Sequence, residues 1–315
     1  MLINDQLLSK IKLMLEGLSL KELALARQEL TDLYRKRVKN NFKLSAPQRL
    51  AYLTARLPAT YAVVYQVFVE MKKRCPDFLP STLLDAGAGP GTVPLAAMGI
   101  GLPIRSATLV EKDPHFIVLG KRLVAPDLEQ KWLCQDMTQE LNIDPHDLVV
   151  ASYSLGELSE KDRNRIVIKL WQLTKKILII IEPGTKVGFE SLKKVREILL
   201  LNSGFLVAPC PHSEKCPMGE NDWCHFAARI ERSSLHRKIK DATLNYEDEK
   251  FCYTIFSKNK VEPCQNRIVR HPFKGKGFIK LQLCSRNCFE EKTITKKNKP
   301  QFSLARKLNW GDELF

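Results

Sequence analysis

A short apolar segment ends in an acidic residue and leads directly into three glycines at alternate positions, in the run Leu83-Leu84-Asp85-Ala86-Gly87-Ala88-Gly89-Pro90-Gly91-Thr92. A glycine lets the backbone turn tightly and approach a ligand closely, and a helix that follows offers free N–H groups at its N-terminus. Ligands of open α/β sheets bind at the carboxyl ends of the strands. We therefore predict that a parallel strand ends near Asp85 and continues into a nucleotide-cofactor loop.

The spacing of these glycines narrows the choice of cofactor. A dinucleotide-binding loop carries Gly-x-Gly-x-x-Gly, whereas this chain has Gly-x-Gly-x-Gly behind an aspartate. The loop resembles motif I of the class I S-adenosylmethionine methyltransferases. That resemblance implies that S-adenosylmethionine is the cofactor, and the residues expected to bind it here are Asp85, Gly87, Gly89 and Gly91.

Two further acidic residues follow predicted strands. Glu111 lies twenty residues after Gly91, where a Rossmann-like unit places an acid that accepts hydrogen bonds from the ribose hydroxyls. Asp136 follows the next strand pattern, at the position where such methyltransferases place an acid near the adenine amine. We expect Glu111 and Asp136 to complete the cofactor site.

Residues 81–208 alternate between strand and helix patterns. The runs at 148–151 and 177–181 are continuously apolar, as expected for parallel strands that are covered on both faces. This alternation predicts an α/β fold with a class I methyltransferase, Rossmann-like sheet. We divide the chain into an N-terminal helical region at 1–80, an S-adenosylmethionine-binding domain at 81–208, and a small metal-binding, β-rich basic domain at 209–315.

The N-terminal region has the pattern of amphipathic helices. Apolar residues recur at helical spacing over residues 5–40, which predicts one or two helices. Pro58 should lie in the first turn of a later helix, since proline is favoured there. Arg56 and Tyr61 are possible ligand contacts, but helix packing and a solvated charge explain them more simply.

The apolar run at 148–151 leads to the place where many methyltransferases carry their catalytic residues. The chain has neither an Asn/Asp-Pro-Pro-aromatic sequence, which holds an exocyclic amine, nor a Pro-Cys nucleophile at this point. The polar candidates near the donor methyl are Ser152, Tyr153, Ser154 and Glu157. None of them is diagnostic, so the catalytic residues stay open.

Composition excludes several classes of protein. The chain is 44% hydrophobic and 27% charged, which fits a globular protein and does not fit a disordered one. No apolar run approaches the roughly 20 residues that a membrane helix needs. The first residues include an acid and no basic segment, so we expect neither a signal peptide nor a transit peptide. We expect a cytoplasmic protein, or a protein of the mitochondrial matrix if the source is a eukaryote, with no membrane partner.

The net charge of +15 is concentrated in the two flanks of the chain. Residues 1–80 hold 14 Lys and Arg against 7 Asp and Glu, residues 81–228 hold 16 against 18, and residues 229–315 hold 20 against 10. Basic flanks around a neutral cofactor domain indicate a polyanionic partner, most simply nucleic acid. A generically basic surface is the alternative.

Three of the nine cysteines lie in a short polar segment, at Cys210, Cys216 and Cys224. In a chain without a secretion signal such a cluster is read first as a set of metal ligands. Zinc accepts a Cys3His set, while an iron–sulfur cluster prefers four thiolates, and the spacing leaves the metal open. Cys284 is our choice of fourth ligand. The competing residues are Cys252, Cys264, Cys288, His212 and His225.

Several longer motifs resemble the small-ribosomal-subunit methyltransferase-like family of bacteria and mitochondria. They include Cys210-Pro-His-x-x-x-Cys216-Pro, Trp223-Cys224-His225-Phe226, Tyr246-Glu247-Asp248-Glu249-Lys250-Phe251, Glu182-Pro183-Gly184-Thr185 and Ala51-Tyr52-Leu53-x-x-Arg56-Leu57-Pro58-Ala59-Thr60-Tyr61. The resemblance extends from about residue 46 to residue 312. It implies a role in assembly of, or translation by, the small ribosomal subunit, with rRNA as the partner and no DNA. It also implies a 4Fe-4S cluster on Cys210, Cys216, Cys224 and a later cysteine, which Cys284 fits.

The basic C-terminal end interleaves cations with aromatic residues. Such a pattern allows phosphates to be neutralised while exposed bases stack on the rings. The aromatic residues are Phe273, Phe278, Phe302 and Trp310. The cations are Arg267, Arg270, Lys274, Lys276, Lys280, Lys296, Lys297, Lys299, Arg306 and Lys307.

Two functions fit these patterns. The first is an S-adenosylmethionine-dependent methyltransferase that modifies rRNA of the small subunit, because methyl transfer mainly requires alignment of the reacting groups. The second is a catalytically inactive assembly factor that uses the same fold to bind rRNA. The intact glycine loop favours the first function, and the missing catalytic signature favours the second.

Overall fold

The structure is a computed structural model that describes residues 5–35, 43–286 and 288–314. Four helices precede the sheet, and buried apolar residues at helical spacing on the first two confirm the predicted amphipathic pattern. Pro58 lies in the first turn of the fourth helix, as predicted. Residues 36–40, which we expected to be helical, lie outside the described residues. The four helices are α1 (Asp5–Met14), α2 (Leu20–Arg35), α3 (Ala46–Ala55) and α4 (Leu57–Arg74).

The main sheet has eight strands in the described part of the chain. The strands are β1 (Thr82–Ala86), β2 (Ser106–Glu111), β3 (Glu129–Cys134), β4 (His146–Ser152), β5 (Thr174–Pro183), β6 (Phe205–Ala208), β7 (Phe226–Glu231) and β8 (Tyr246–Ser257). The helices between them are α5 (Thr92–Gly99), α6 (Pro114–Leu123), α7 (Glu160–Gln172), α8 (Lys186–Leu201) and α9 (Ser234–Lys240). A short 3-10 helix at Leu155–Glu157 follows β4.

The order of the strands identifies the fold. The sheet runs β3-β2-β1-β4-β5-β8-β6, with β7 paired to β8. Strands β1 to β5 are parallel, and β8 is antiparallel to β5. This is the class I methyltransferase, Rossmann-like fold that the sequence predicts. The chain leaves β1 toward β2 on one side and returns to β4 on the other, so the carboxyl ends of β1 and β4 form the switch point where such sheets bind ligands.

The sheet is covered on both faces. Consecutive residues of a strand point to opposite faces, and both faces are apolar in the central strands. Leu83 packs with residues of the N-terminal helices, while its neighbour Leu84 packs with residues of α7 and α8. Burial on both faces explains why β1, β4 and β5 appear in the sequence as continuous apolar runs.

The main sheet continues past residue 208, where the sequence analysis placed the start of a third domain. The second half of β8 pairs with β5, for example Ile255 with Ile179, and the first half pairs with β7. That half reads Tyr-Glu-Asp-Glu-Lys and lacks the apolar run that marks a central strand. Pairing with distant strands, and not a local pattern, makes it part of the sheet.

A second, smaller sheet follows the main one. Its strands pair in the order β10-β11-β12, with β9 on β11. One face packs with α10 on a separate apolar core that includes Ile279, Leu281, Ile294 and Phe302. The elements are β9 (Asn266–Ile268), β10 (Phe273–Gly275), β11 (Phe278–Ser285), β12 (Phe289–Thr295) and α10 (Lys299–Ala305). Across the described residues no helix combines the length and apolarity that spanning a membrane requires.

Candidate functional site

A pocket of about 280 Å³, including its open mouth, lies at the carboxyl ends of β1 and β4. Helices α3 and α4 contribute to its walls, and the glycine loop and the end of β4 form the rest. Its location is the switch point of the sheet, where the fold predicts a ligand. The pocket is lined by Tyr52, Thr60, Asp85, Gly87, Ala88, Gly89, Thr92, Val93, Ser152 and Tyr153.

Asp85 is the most unusual residue in this pocket. Its side chain is 1% exposed, and neither carboxylate oxygen has a hydrogen-bond partner in the described part of the chain. Burial, and then the charge of Glu111, raises the pKa of Asp85 well above its usual range. A buried carboxyl group without partners lowers the stability of a protein. A ligand that donates hydrogen bonds or brings a positive charge would remove that penalty.

The three glycines adopt backbone conformations that other residues rarely reach. Gly87 and Gly91 have φ angles of 80° and 82°, in the left-handed region where a side chain is unfavourable. A Cβ on Gly87 would also lie 2.7 Å from Cε of Met137. Gly87 and Gly89 line the pocket, whereas Gly91 lies immediately before α5 as its N-cap residue.

The two acidic residues predicted after β2 and β3 differ in their positions. Glu111 is buried and accepts hydrogen bonds from the N–H of Gly89 at 2.7 Å and of Asp113 at 2.8 Å. Burial raises the pKa of Glu111. Asp136 accepts hydrogen bonds from the backbone N–H and hydroxyl of Thr138. Glu111 therefore contacts the glycine loop directly, and the contacts of both acids with a cofactor stay predictions.

Of the four polar residues predicted to lie near the donor methyl at the end of β4, two line the pocket. Ser152 and Tyr153 line it, whereas the hydroxyl of Ser154 donates to the carbonyl of Ala86 and Glu157 faces Lys112 at the surface. Tyr153 has a φ of 57°, which is uncommon for a residue with a side chain. Its hydroxyl is buried without a hydrogen-bond partner in the described structure, and burial raises its pKa well above the usual value.

Sequence reasoning missed the contribution of the N-terminal helices to this pocket. Tyr52 and Thr60 line it. Arg56 lies between them in the chain, donates to both carboxylate oxygens of Glu249 at 3.1 Å, and lies 5.9 Å from the ring centre of Tyr153. The signal was present in two motifs that carry the family resemblance, because one contains Tyr52, Arg56 and Thr60 and the other contains Glu249.

The predicted cysteine ligands form a second candidate site. Cys210, Cys216 and Cys224 lie between β6 and β7, and Cys284 lies near the end of β11; all four are free thiols. Burial, followed by repulsion from neighbouring thiolates that include Cys210, Cys216 and Cys284, raises the pKa of Cys224 well above its usual value. The pKa of Cys284 rises to about 12 through burial and the charges of Cys210 and Cys216. The end of β11 meets the cysteine loop, since Sγ of Cys284 contacts the ring of His212 in that loop.

The residues that competed for the fourth ligand position have other contacts. The thiol of Cys252 donates to the carbonyl of Cys224 at 3.2 Å, and that of Cys264 donates to the carbonyl of Pro209 at 3.5 Å. His225 stacks on Trp223, and Cys288 is exposed. Nε2 of His212 lies 3.7 Å from Sγ of Cys284. Among the described residues, no three His, Cys, Asp or Glu side chains stand in an arrangement that could hold a metal ion as they are.

Two of the basic residues predicted to meet RNA are internal contacts. Arg267 is 2% exposed and donates to the carbonyls of Pro209 and Gly311 and to the carboxylate of Glu70. Arg270 pairs with Asp222. The expectation that Arg267 binds phosphate is therefore wrong, because the residue is buried. Phe302 is also part of the core. The other predicted cations of the C-terminal end are exposed: Lys274, Lys276, Lys280, Lys296, Lys297, Lys299, Arg306 and Lys307.

Comparison with known proteins gives consistent matches. The sequence model of the family described as mitochondrial small ribosomal subunit Rsm22 matches residues 46–315. The human ribosome assembly protein METTL17, mitochondrial, is 30% identical over 289 residues, which cover 84% of this chain and 62% of that protein. The Rsm22-cox11 tandem protein 2, mitochondrial, of Schizosaccharomyces pombe is 26% identical over 325 residues, covering 85% of this chain and 43% of that protein. The chain thus spans less than two thirds of either relative.

Solved structures with a similar fold include the magnesium protoporphyrin IX methyltransferase of Synechocystis PCC 6803 with bound SAH. The two chains are 11% identical and superpose with a TM-score of 0.43. The match covers 76% of this chain and 100% of that chain.

Proposed function

The chain belongs to the mitochondrial small ribosomal subunit Rsm22 family, and on this premise we propose that it is a methyltransferase-like protein that binds S-adenosylmethionine and acts on the small ribosomal subunit and its rRNA during assembly. The match over residues 46–315 supports the subunit as partner, as does the name of its human relative, a ribosome assembly protein. The place of action is wherever these subunits are assembled, the cytoplasm of a bacterium or the mitochondrial matrix of a eukaryote.

The main support for the cofactor proposal is that the buried carboxyl group of Asp85 has no hydrogen-bond partner in the described structure. It lies in the same pocket as Gly87 and Gly89, with Glu111 hydrogen-bonded to the loop. S-adenosylmethionine is positively charged at its sulfonium and ammonium groups, so a buried acid without a partner suits it. Asp85, Gly87, Gly89, Gly91 and Glu111 are the proposed cofactor residues, together with Asp136 at the end of β3.

We also propose that Cys210, Cys216, Cys224 and Cys284 hold a 4Fe-4S cluster, with zinc as the alternative. Three thiols on one loop and a fourth on a strand that this loop contacts suit either metal centre, and four thiolates are the usual ligands of an iron–sulfur cluster. A cluster would tie the loop after β6 to the end of β11 in the small sheet. Its proposed role is to stabilise this part of the chain, since metal binding contributes to folding in small metal-containing units.

The cluster proposal predicts a brown protein when the chain is purified without oxygen. Cys216→Ser should abolish the absorbance near 400 nm, while Cys134→Ser, which changes an exposed cysteine at the end of β3, should leave it intact; the wavelength is roughly that of thiolate-ligated iron–sulfur clusters. A colourless wild-type protein that contains stoichiometric zinc would establish the alternative.

A second candidate function, a non-catalytic assembly factor, is favoured by the end of β4. The side chains that this strand brings to the pocket are those of Ser152 and Tyr153, which include no carboxylate or amide to hold an exocyclic amine. Arg56 and Glu249 form an ion pair beside Tyr153. Under this alternative, the cofactor stabilises the fold without donating its methyl group.

One experiment separates the two functions. Purified protein is incubated with immature small ribosomal subunits and S-adenosylmethionine labelled in its methyl group. A methyltransferase transfers label to rRNA, and Asp85→Ala abolishes the transfer. If the protein binds the subunits and the cofactor but no label reaches RNA, the assembly-factor function is correct. If it does not bind small subunits, the proposed function is wrong in both forms.

A further inference from the structure

The small sheet has one covered face and one open face. Along β11 the side chains of Ile279, Leu281 and Leu283 are buried against α10 and the local core. The alternate residues Phe278, Lys280 and Gln282 point the other way and are half-buried or exposed. A sheet face exposed in this way normally carries polar residues, so an aromatic residue on it requires an explanation.

A second phenylalanine extends the apolar part of this open face. Phe273 of β10 lies opposite Lys280 of β11, on the same side of the sheet as Phe278. The ring centres of Phe273 and Phe278 are 5.9 Å apart, at an interplanar angle of 33°. Phe273 is 61% exposed. The two rings therefore form an aromatic surface that no described residue covers completely.

Cations surround this aromatic pair. Lys296 lies next to Gly277 in the β10–β11 turn. Its Cδ is 3.7 Å from the position that a Cβ would occupy at that glycine. Of the nearby cations in the described chain, Lys280 has a carboxylate partner within ion-pair distance, Glu291, and Lys274 donates to the carbonyl of Arg306. By register, the exposed cations nearest the pair are Lys276 in the turn between the two rings, Lys280 opposite Phe273, and Lys296 next to Thr295, which pairs with Phe278. Lys274 pairs with Ile279 and so points toward the covered face.

We propose that this open face, defined by Phe273, Phe278, Lys276, Lys280 and Lys296, binds single-stranded segments of rRNA. Bases stack on the two rings and the lysines neutralise the adjacent phosphates, which is the combination that single-stranded nucleic acid requires. A paired helix does not present its base faces to such a surface. The inference rests on the proposed function, because that function supplies RNA as the partner.

The face also leads toward the cysteine site. Cys284 lies on β11 six residues after Phe278, on the same side of the sheet, so the distance along the strand is about 20 Å. At roughly 3.4 Å per stacked nucleotide, that length accommodates about six of them. An RNA segment that starts on the aromatic pair therefore extends toward the loop that carries the other three proposed cluster ligands.

The test is a binding titration of the full chain with a fluorescent oligouridine of about 12 nucleotides. Fluorescence anisotropy measures the affinity at several salt concentrations. Phe273→Ala should weaken binding roughly tenfold without changing the salt dependence, because the ring contributes stacking and no charge. Phe205→Ala, on β6 of the main sheet and 41% exposed, should bind as the wild type does. In the double variant Lys276→Gln/Lys296→Gln, the slope of log affinity against log salt concentration should fall by the equivalent of about two phosphate contacts.

Association with purified small ribosomal subunits is measured in parallel by sedimentation. If Phe273→Ala binds the oligouridine as tightly as the wild type, or if the wild type prefers a duplex of the same length, the inference is overturned while the proposed function stands. If the wild type fails to associate with small subunits, the proposed function itself fails. Thermal unfolding of each variant shows that lost binding is not lost folding, since Phe273 is mostly exposed.

Discussion

At the scale of single residues, Asp85 shows how a local motif and its environment combine. The sequence predicted this aspartate at a strand end next to the glycine loop, and the structure places it in the pocket with both oxygens unpartnered. In the neighbouring Glu111, both carboxylate oxygens accept hydrogen bonds, one from the N–H of Gly89 and the other from the N–H of Asp113. Of the two acids, Asp85 is therefore the one whose oxygens lack hydrogen-bond donors in the described structure.

Asp85→Asn should stabilise the cofactor-free protein, increasingly so as pH rises. Because the native pKa of Asp85 is raised, the unfolded chain loses this proton at a lower pH than the folded chain. Wild-type stability therefore falls as pH rises from about 4 toward the native pKa, by about 1.4 kcal/mol for each unit of the shift. Asparagine does not ionise and avoids this loss. Urea unfolding between about pH 5 and pH 8 measures the difference.

Asp147→Asn is the matched control, because the shift at Asp147 has the opposite sign. Burial alone raises its pKa, but hydrogen bonds from Ser81 and Thr82 outweigh burial and lower it. The Asp147 carboxylate therefore stabilises the fold above its ordinary pKa, and asparagine should destabilise the protein at neutral pH. A difference between wild type and Asp85→Asn that stays constant with pH would contradict the account of Asp85.

At the scale of elements, the turn after β5 explains a motif that the sequence could only note. Gly184 donates its N–H to the carbonyl of Lys250 in β8 at 2.9 Å, and its own carbonyl accepts from the indole of Trp223 at 3.1 Å. A Cβ at this glycine would lie 2.6 Å from the backbone of Lys250 and Phe251. The glycine is required by the close approach of β8, and not by a turn conformation.

Gly184→Ala should destabilise the protein by about 1–3 kcal/mol, because β5 and β8 must move apart to accommodate the methyl group. Gly219→Ala is the control, since a Cβ at Gly219 meets no atom within 4 Å, and its effect should stay within about 0.5 kcal/mol. Urea denaturation of both variants measures the difference. Equal effects of the two substitutions would show that the contact with β8 is unimportant.

At the scale of the whole molecule, Arg267 joins three distant segments. Its guanidinium contacts Glu70 on α4, the carbonyl of Pro209 before the cysteine loop, and the carbonyl of Gly311 near the C-terminal end. A row of aromatic contacts adds to this connection, since Trp310 packs edge-on against both His225 and His271. The small sheet and the cysteine loop are therefore attached to the main sheet by buried polar and aromatic contacts.

Arg267→Met should cost about 3–5 kcal/mol of stability, because it leaves the carboxylate of Glu70 and two carbonyls without their buried donor. Arg165→Met, which removes an exposed pair with Asp162, should cost at most about 1 kcal/mol. Thermal and urea unfolding compare the two variants. A small effect at Arg267 would mean that Arg74, which also pairs with Glu70, satisfies the carboxylate alone.

Much of the fold could be predicted because its determinants are local. The glycine loop, the apolar strands β1, β4 and β5, and the first turn of α4 each follow from residues that are neighbours in the chain. The cysteine spacing likewise marks a loop of thiols without reference to the rest of the molecule. Such patterns are visible in a single sequence, since they reflect backbone conformation and the period of buried side chains.

The remaining features depend on contacts between distant segments. Arg56 meets Glu249 across 193 positions and Arg267 meets Glu70 across 197. Such long-range contacts explain why Arg267, which the sequence predicted to bind RNA, is buried. They also explain why residues of α3 and α4 line the pocket. The sequence by itself determined the type of sheet, the glycine loop and the cysteine motif. Only the tertiary structure decided that β8 completes the main sheet, because pairing and burial there depend on where the rest of the chain folds.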